Sequence, residues 1–232
     1  MKQKFSFLSL MAVLTIALIW QGAAGIVAAD DKADPLSHPI RTTYITYDPD
    51  AEPGRFVPPP ANFGRSAPTA NIEVNYIGSW PANAQSAFEY AVTIWEQLVV
   101  SSVTINVDAE FKDLGDPFIL GGAGALDYGI NFTNAPQPGV WYPIALANSI
   151  AGSDLNGSTS EIGAQFNSTF DWYYGTDGNT PGDKVDFVSV VLHEIGHGLG
   201  FSGSMIVQGG VGYWGSGTQF PDIYDKFTVT FA

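Results

Sequence analysis

The chain has 232 residues, of which 45% are apolar, 14% are charged and 13% are aromatic. This length and composition suit one or two compact domains and argue against a wholly disordered chain. Nine basic residues against 23 acidic residues give a formal net charge of -14, which argues against the basic surface that nucleic-acid binding needs. The absence of cysteine excludes disulfides, thiolate metal sites, Fe–S clusters and a cysteine nucleophile, so metal ligands are limited to oxygen atoms and imidazoles.

The N-terminal stretch at residues 1–29 has the layout of a secretory signal peptide. Two lysines precede an apolar run at residues 5–20, and Val27 and Ala29 satisfy the small-residue rule for cleavage after Ala29. The apolar run has 16 residues, fewer than the ~20 that a membrane-spanning helix needs. We therefore expect a secreted protein, extracellular or periplasmic, that has no membrane partner once the signal is cleaved.

Residues 30–70 contain eight prolines and little apolar periodicity. This composition is typical of an extended leader, a linker or a pro-segment. Regular structure is expected to begin after this stretch, in one folded domain at residues 71–232. Because an exported protein without cysteine has no disulfides, its stability has to come from a packed core or a bound metal.

The folded domain is predicted to start with a strand, a helix and a second strand. Apolar and polar residues alternate at 72–76 and again, strictly, at 103–111, which predicts two strands. Between them, apolar residues at helical spacing over 88–99, with start signals at Ser79 and Pro81, predict a helix. This order implies a crossover connection, which is right-handed where the two strands are parallel.

Residues 113–182 are rich in Gly, Asn, Asp and aromatic residues. Short strands are predicted there at residues 129–132, 144–148 and 161–166. The glycine cluster at residues 121–124 is interpreted as a flexible turn, because no Gly-Lys-Ser/Thr follows to make it a phosphate loop. Three aspartates could hold a calcium ion, but their spacing is not that of an EF-hand, and a solvated acidic surface is the favoured interpretation for Asp171, Asp177 and Asp183.

A helix is predicted over the stretch that ends before Gly200. A buried stripe at helical spacing is formed by Val188, Val191, Leu192, Ile195 and Leu199. Asp183 or Asp186 suits the start of this helix, and Gly200 suits the left-handed residue after its end. Gly196 and Gly198 cost about 1 kcal/mol each inside a helix, so close packing or an abrupt turn is expected around them.

His193 and His197 are four residues apart on this predicted helix, with Glu194 between them. Imidazoles at positions i and i+4 leave the same face one turn apart, so both can bind one metal ion through nitrogen. Glu194 points about 100° further around the helix. Its carboxylate can reach a water molecule on the metal, which is the position of a general base. Chance placement would give this pattern in roughly one chain in a thousand, so a metal site is favoured over an ordinary core helix.

The run from His193 to Gly200 resembles the metzincin form of the zincin motif, His-Glu-x-x-His-x-x-Gly-x-x-His. The resemblance implies an α+β catalytic domain with a twisted, mostly parallel sheet, a backing helix and an active-site helix. It also implies zinc on His193 and His197, Glu194 as general base, and a protein or peptide substrate. The segments 88–98, 103–111 and 145–148 are similar to the first helix, a sheet strand and a substrate-edge strand of metzincins.

The third histidine of the metzincin motif would fall at position 203, which is Gly203, and no histidine follows His197. In leishmanolysin-like metzincins a long insertion separates the glycine from the third ligand. We favour this arrangement, with an insertion that begins within residues 202–217. The catalytic domain would then be incomplete at its C-terminus, and the third ligand would lie beyond Ala232.

Residues within the chain are also candidates for the third position on the metal. Asp222 or Asp225 could bind zinc, although a turn or helix cap after Pro221 is the commoner role of such residues. His38 could fold back from the leader and block zinc in a latent precursor, although a solvated loop histidine is the simpler interpretation. A glutamate on a following helix, as in gluzincins, is excluded because Glu194 is the last glutamate of the chain.

The sequence therefore predicts a secreted zinc-dependent metalloendopeptidase. A second hypothesis is a secreted binding or adhesion module with a degenerate zincin site, in keeping with the aromatic and glycine-rich middle of the chain. A third is a zinc hydrolase that does not act on peptides. Zinc content and chelator-sensitive proteolysis separate the first two hypotheses, and turnover of proteins against small esters separates the third.

Overall fold

Within the described part of the chain, three helices and eleven short strands form an α+β fold. The computed structural model describes residues 38–48, 59, 63–65, 67–214 and 218–228. The predicted signal peptide at residues 1–29 lies outside these ranges. None of the helices within them is long and apolar enough to cross a membrane.

The elements follow in chain order as β1 (Thr43–Thr46), β2 (Ile72–Ile77), α1 (Ala82–Leu98), β3 (Ile105–Lys112), β4 (Ile119–Ala125), β5 (Tyr128–Ile130), β6 (Trp141–Pro143), α2 (Ile144–Ala151), β7 (Ile162–Asn167), β8 (Trp172–Tyr173), β9 (Val185–Asp186), α3 (Phe187–Leu199), β10 (Ile206–Gln208), β11 (Val211–Tyr213) and a 3₁₀ helix at Ile223–Phe227. Five of the strands form the main sheet, in the order β1-β4-β7-β3-β2. The pairs β2 with β3 and β3 with β7 are parallel, whereas β4 is antiparallel to both β7 and β1. The sheet is therefore mixed, with β4 running against the other four strands.

The predicted unit of strand, helix and strand is confirmed as β2, α1 and β3, and its two strands are parallel. In β3 the alternation of side chains places Ile105, Val107 and Ala109 in the core, as expected for a strand with one buried face. Helix α1 begins directly after Pro81, whose fixed φ suits a helix start.

Helices α1 and α3 pack against each other and against the sheet around one hydrophobic core. Phe88 of α1 and Phe187 of α3 both contact the ring of Phe166 on β7, with ring centroids 5.7 and 5.3 Å apart. The indole N–H of Trp95 donates to the carbonyl of Leu192 across the two helices at 3.1 Å. These contacts fix α3 beneath β4 and β7, which determines where the histidines lie.

The strand predicted at residues 144–148 is wrong, because this segment begins helix α2. Pro143 directly precedes the helix, and Gly152 ends it in the left-handed conformation with φ 68°. The alanines of the segment favour a helix, and its apolar side chains are buried in a small second core. The similarity of residues 145–148 to a substrate-edge strand is therefore not matched by the structure.

The glycine cluster at residues 121–124 is also corrected, since it lies within β4 and not in a flexible turn. The absence of side chains lets neighbouring groups approach closely. A Cβ on Gly122 would lie 2.5 Å from the ring of Tyr44, and a Cβ on Gly124 would lie 2.0 Å from the carbonyl oxygen of Arg41. Gly-rich strands lack the usual apolar signal, which is why alternation did not reveal β4.

Regular structure begins earlier than predicted, because β1 lies within the proposed leader at residues 30–70 and pairs with β4. Its sequence, Thr-Tyr-Ile-Thr, consists of residues that favour strands. The expectation that folded structure starts only after residue 70 is therefore wrong for this segment. Whether residues 30–70 serve as a leader or as a pro-segment stays a prediction.

Candidate metal centre

Helix α3 is fixed at both ends by the residues that the sequence indicated. Asp186, and not Asp183, is the N-cap, and its side chain accepts from the backbone N–H of Ser189 at 2.7 Å. Thr180 donates to the other oxygen of this carboxylate at 2.8 Å. At the C-terminus Gly200 adopts φ 116°, which a residue with a side chain rarely adopts. The predicted helix is confirmed as Phe187–Leu199.

The glycines within α3 allow close packing at the site. A Cβ on Gly198 would lie 2.5 Å from the side chain of Ile162 on β7, so only glycine lets the helix approach that strand without a shift. Gly196 has more space, because a Cβ there would lie 3.4 Å from the ring of Trp95. The close packing that the sequence indicated is therefore present at Gly198.

The two imidazoles meet as the i, i+4 spacing predicts. The Nε2 atoms of His193 and His197 are 3.0 Å apart, and the rings are nearly perpendicular at 89°. The Nδ1 atom of His197 lies 2.8 Å from the carbonyl oxygen of Phe201, so Nδ1–H donates to that oxygen and Nε2 keeps its lone pair. Two nitrogens bound to one zinc ion at ~2.0–2.1 Å are about 3.3 Å apart in tetrahedral geometry, which is close to the observed separation.

Burial keeps both imidazoles in the neutral form that binds metals. Burial, followed by the nearby His197, lowers the pKa of His193 to about 4. Burial also lowers the pKa of His197, although the hydrogen bond to Phe201 opposes this effect. Neutral imidazole is the ligand form of histidine, so no proton has to leave when a metal binds near neutral pH.

Glu194 is fully buried beside the histidine pair. Neither of its carboxylate oxygens has a hydrogen-bond partner among the described residues. Burial raises its pKa to about 8, and the backbone groups of Ala123 and Ile45 face the carboxylate and oppose this rise without completing a hydrogen bond. An unpaired buried carboxylate is costly unless a cation or a donor satisfies it.

The three side chains together form a group that fits a divalent cation. One ligand atom each from His193, Glu194 and His197 lie within 4.8 Å of one another. Two imidazole nitrogens and an unsatisfied carboxylate are the ligand types that zinc prefers when thiolates are absent. Of the histidine, aspartate and glutamate residues that the structure describes, no others form such a group.

Position 203, where the metzincin motif has its third histidine, is closed to a side chain. A Cβ on Gly203 would lie 2.5 Å from a carboxylate oxygen of Asp225. Asp225 accepts hydrogen bonds from the backbone N–H and the hydroxyl of Ser204 and from the backbone N–H of Asp222. It thus ties the turn after α3 to the C-terminal 3₁₀ helix. Asp222 and Asp225 therefore cap the 3₁₀ helix, which is the role that the sequence analysis gave as the commoner one for such residues.

Asp222 and His38 pair with each other instead of joining the histidine group. The Nε2 atom of His38 lies 2.7 Å from Oδ1 of Asp222, and the side chain of His38 is 1% exposed. Its ring stacks on Tyr128 at 3.6 Å and meets the edge of Trp141 at 5.4 Å. The interpretations of His38 as a solvated loop residue and of Asp222 as a zinc ligand are both corrected by this pair.

The three aspartates considered for calcium do not form a metal-binding group within the described ranges. Asp171 pairs with Lys184 at 2.7 Å. Asp177 accepts hydrogen bonds from Tyr173 and Asn179, which lower its pKa to about 2. These local partners agree with the acidic-surface interpretation.

Two backbone neighbours of Glu194 were not identified from the sequence. Ala123 lies in the glycine-rich β4, and Ile45 lies in β1 within the predicted leader. The run of threonine, tyrosine and isoleucine at residues 42–47 carried a strand signal. No local pattern could indicate that this strand lies against the helix, because the contact joins residues about 150 positions apart.

Comparison with protein families gives a match to a family model described as SPBPB7E8-like, over residues 141–212. The match covers less than a third of the chain and includes α2, β7 and the whole of α3. The family carries no assigned function. Searches of the curated proteins and of the solved structures give no match.

Proposed function

We propose that this protein is a secreted zinc-dependent endopeptidase in which His193 and His197 bind zinc and Glu194 is the general base. The observation that carries the proposal is the carboxylate of Glu194, which is buried without a hydrogen-bond partner among the described residues and lies next to two imidazole nitrogens 3.0 Å apart. A buried polar group without a partner costs about 1–3 kcal/mol. Such a cost is expected at a functional site, where a cation and a substrate complete the arrangement.

Zinc bound at this site would supply a Lewis acid that acidifies a water molecule and polarises the scissile carbonyl group. Glu194 accepts the proton of the attacking water on a carboxylate oxygen, and the oxygen of the water forms a bond to the carbonyl carbon. Glu194 then donates the proton to the nitrogen of the leaving amine as the C–N bond breaks. The carbonyl of Phe201 holds Nδ1–H of His197 and so fixes the tautomer in which Nε2 faces the metal.

Secretion and the class of substrate belong to the same proposal. The signal-peptide layout of residues 1–29 supports export. The formal net charge of -14 disfavours nucleic acid as a partner, and the resemblance of residues 193–200 to the metzincin motif supports a protein or peptide substrate.

The alternative, a binding module with a degenerate zincin site, is favoured by one observation. Catalytic zinc commonly has three protein ligands, and the position of the third histidine is Gly203, packed against Asp225. A peptidase needs zinc for its activity, whereas a degenerate module has no activity that zinc could support. A degenerate module has no chelator-sensitive peptidase activity, and a zinc hydrolase of another class cleaves small esters but not casein.

The test compares the wild-type protein with Glu194→Gln, His193→Ala and the control Glu73→Gln, which changes an exposed glutamate. We expect the wild type to bind zinc and to cleave casein until a chelator is added. Glu194→Gln should retain zinc and lose activity about 10²–10⁴-fold, His193→Ala should lose both, and Glu73→Gln should lose neither. Zinc content by atomic absorption and casein cleavage are the measurements. A fully active Glu194→Gln protein, or a wild type that stays metal-free in excess zinc, contradicts the proposal.

A further inference from the structure

Strand β1 occupies the outer edge of β4, directly over the proposed general base. β4 pairs with β7 on one side and with β1 on the other, in antiparallel register with Thr43 opposite Ala123 and Ile45 opposite Gly121. Strand β1 also lies against helix α3, which carries Glu194. Glu194 is 0% exposed. A substrate can reach a general base in this state only in molecules from which β1 has moved away, because proton transfer needs hydrogen-bond contact with the reacting groups.

The segment that includes β1, residues 38–48, is fixed at both of its ends. At its start, His38 contacts Asp222 of the C-terminal segment and stacks on Tyr128. At its other end, the backbone N–H of Tyr47 donates to the carbonyl of Phe118 at 2.6 Å. The segment thus extends along β4 and is tied by His38 to the chain that follows α3. We call residues 38–48 the strap.

The middle of the strap is held by backbone pairing, by the buried side chain of Ile45, and by a hydrogen bond of 2.7 Å that the side-chain amide of Gln165 donates to the hydroxyl of Tyr44. Within β1 only the side chain of Ile45 is buried, whereas Tyr44 and Thr46 are exposed. The glycines of β4 admit the strap closely, since a Cβ on Gly122 would collide with the ring of Tyr44. Backbone pairing with few buried side chains is how an extended peptide adds to the edge of a sheet.

We propose that the strap is a built-in inhibitor that occupies the place of an extended peptide substrate along β4. This inference rests on the proposed peptidase function. When the strap leaves, the edge of β4 becomes free for a substrate that pairs in the same antiparallel sense, and Glu194 becomes accessible. The pair between His38 and Asp222 acts as the latch, because this side-chain contact of 2.7 Å joins the strap to the C-terminal segment.

The test uses the full chain with a recognition site for a sequence-specific protease substituted at residues 52–57. Cleavage there cuts the chain between the strap and the rest of the domain, and the released fragment is then washed away. Three quantities are measured on intact and nicked protein: binding of a fluorescent peptide of residues 38–48, hydrogen exchange of the β4 amides, and casein cleavage with zinc present. The unsubstituted chain, treated with the same protease, is the control for the treatment.

We expect the nicked protein to bind the peptide, to exchange the β4 amides at least tenfold faster than the intact chain, and to cleave casein at least tenfold faster. Added peptide should reverse the gain in exchange and in cleavage. Equal exchange, with equal and chelator-sensitive casein cleavage before and after release of the fragment, overturns the strap as an inhibitor and leaves the peptidase proposal standing. Reversible peptide binding without casein cleavage in either form supports the strap as a strand that adds to β4 and contradicts the peptidase proposal.

A second variant keeps the test decisive if release of the strap unfolds the protein. His38→Ala removes the latch while the strap stays covalently attached. We expect exchange of the β4 amides and casein cleavage to rise severalfold. The matched control is Lys184→Ala, which breaks a surface ion pair with Asp171 of the same 2.7 Å length. Unchanged exchange in His38→Ala contradicts the latch.

Discussion

Two glutamates of this protein are equally buried and have opposite surroundings. Glu161 is 1% exposed, and its carboxylate accepts from the backbone and side-chain amides of Asn106 and from the side-chain amide of Asn148. Glu194 is 0% exposed and has no hydrogen-bond partner within the structure's described ranges. Glu161 joins β3, β7 and α2, whereas Glu194 faces the histidine pair on α3. The difference distinguishes a carboxylate that stabilises the fold from one that the fold leaves available for chemistry.

The comparison shows why burial alone does not identify a functional residue. A buried carboxylate with three donors lowers the free energy of the folded state relative to one without partners. A buried carboxylate without donors is tolerated only where another requirement maintains it. Glu194 fits the second description, and the neutral imidazoles next to it supply the metal-binding atoms that such a requirement implies.

The largest expected effect contrasts the two glutamates directly. In metal-free protein, Glu161→Gln should lower the free energy of unfolding by about 3 kcal/mol, because the new amide and the amide of Asn148 would both lose partners at about 1–3 kcal/mol each. Glu194→Gln should leave it unchanged or raise it, since no hydrogen bond is lost and a buried acid is removed. Urea unfolding in the presence of a chelator measures both. A larger loss of unfolding free energy for Glu194→Gln than for Glu161→Gln would contradict the view that only Glu161 stabilises the fold.

The next effect concerns the packing that places Glu194. Gly198→Ala should lower the free energy of unfolding by about 1–2 kcal/mol, because its Cβ would lie 2.5 Å from Ile162 and overpacking outweighs the gain in helix propensity. Gly196→Ala is the matched control, since its Cβ would make an ordinary contact with Trp95 at 3.4 Å. We expect it to raise stability by up to ~1 kcal/mol. Equal effects in thermal unfolding would show that α3 does not depend on its close approach to β7.

The last prediction concerns the pH dependence of stability. Burial raises the pKa of Glu194 from 4.5 to about 8, so the unfolded chain loses this proton at lower pH than the folded chain does. The contribution of Glu194 to metal-free stability is therefore present below about pH 4.5 and is lost as the pH rises toward 8. His193 acts in the opposite sense, because its pKa is lowered from 6.5 to about 4.

The pH effect is isolated by comparison with Glu194→Gln, which keeps His193. The difference in the free energy of unfolding between wild type and variant should fall from pH 5 to 8 and level off above pH 8. Chemical unfolding in chelator at several pH values provides the measurement. A difference that stays constant over this range would show that Glu194 is not held in a desolvating environment.

The elements whose formation depends on residues close together in the sequence could be predicted from the sequence alone. Alternation of apolar and polar residues predicted β3, and helical spacing predicted α1 and α3. Asp183 or Asp186 was predicted at the start of α3 and Gly200 after its end, and the structure shows Asp186 as the N-cap. Segments whose local signal was weak were predicted wrongly. The alanine-rich α2 was predicted as a strand, and β4 was missed because its glycines carry no apolar pattern.

By itself the sequence determined the arrangement within one helical turn. The i, i+4 spacing brings His193 and His197 together in any helix, because backbone geometry fixes side chains four residues apart on one face. Only the tertiary structure decided what surrounds them. Three of these surroundings depend on contacts between segments that are distant in the sequence. Strand β1 covers Glu194, Asp225 closes position 203, and His38 pairs with Asp222. Such contacts are set by how the elements pack around a common core, and no local pattern encodes them.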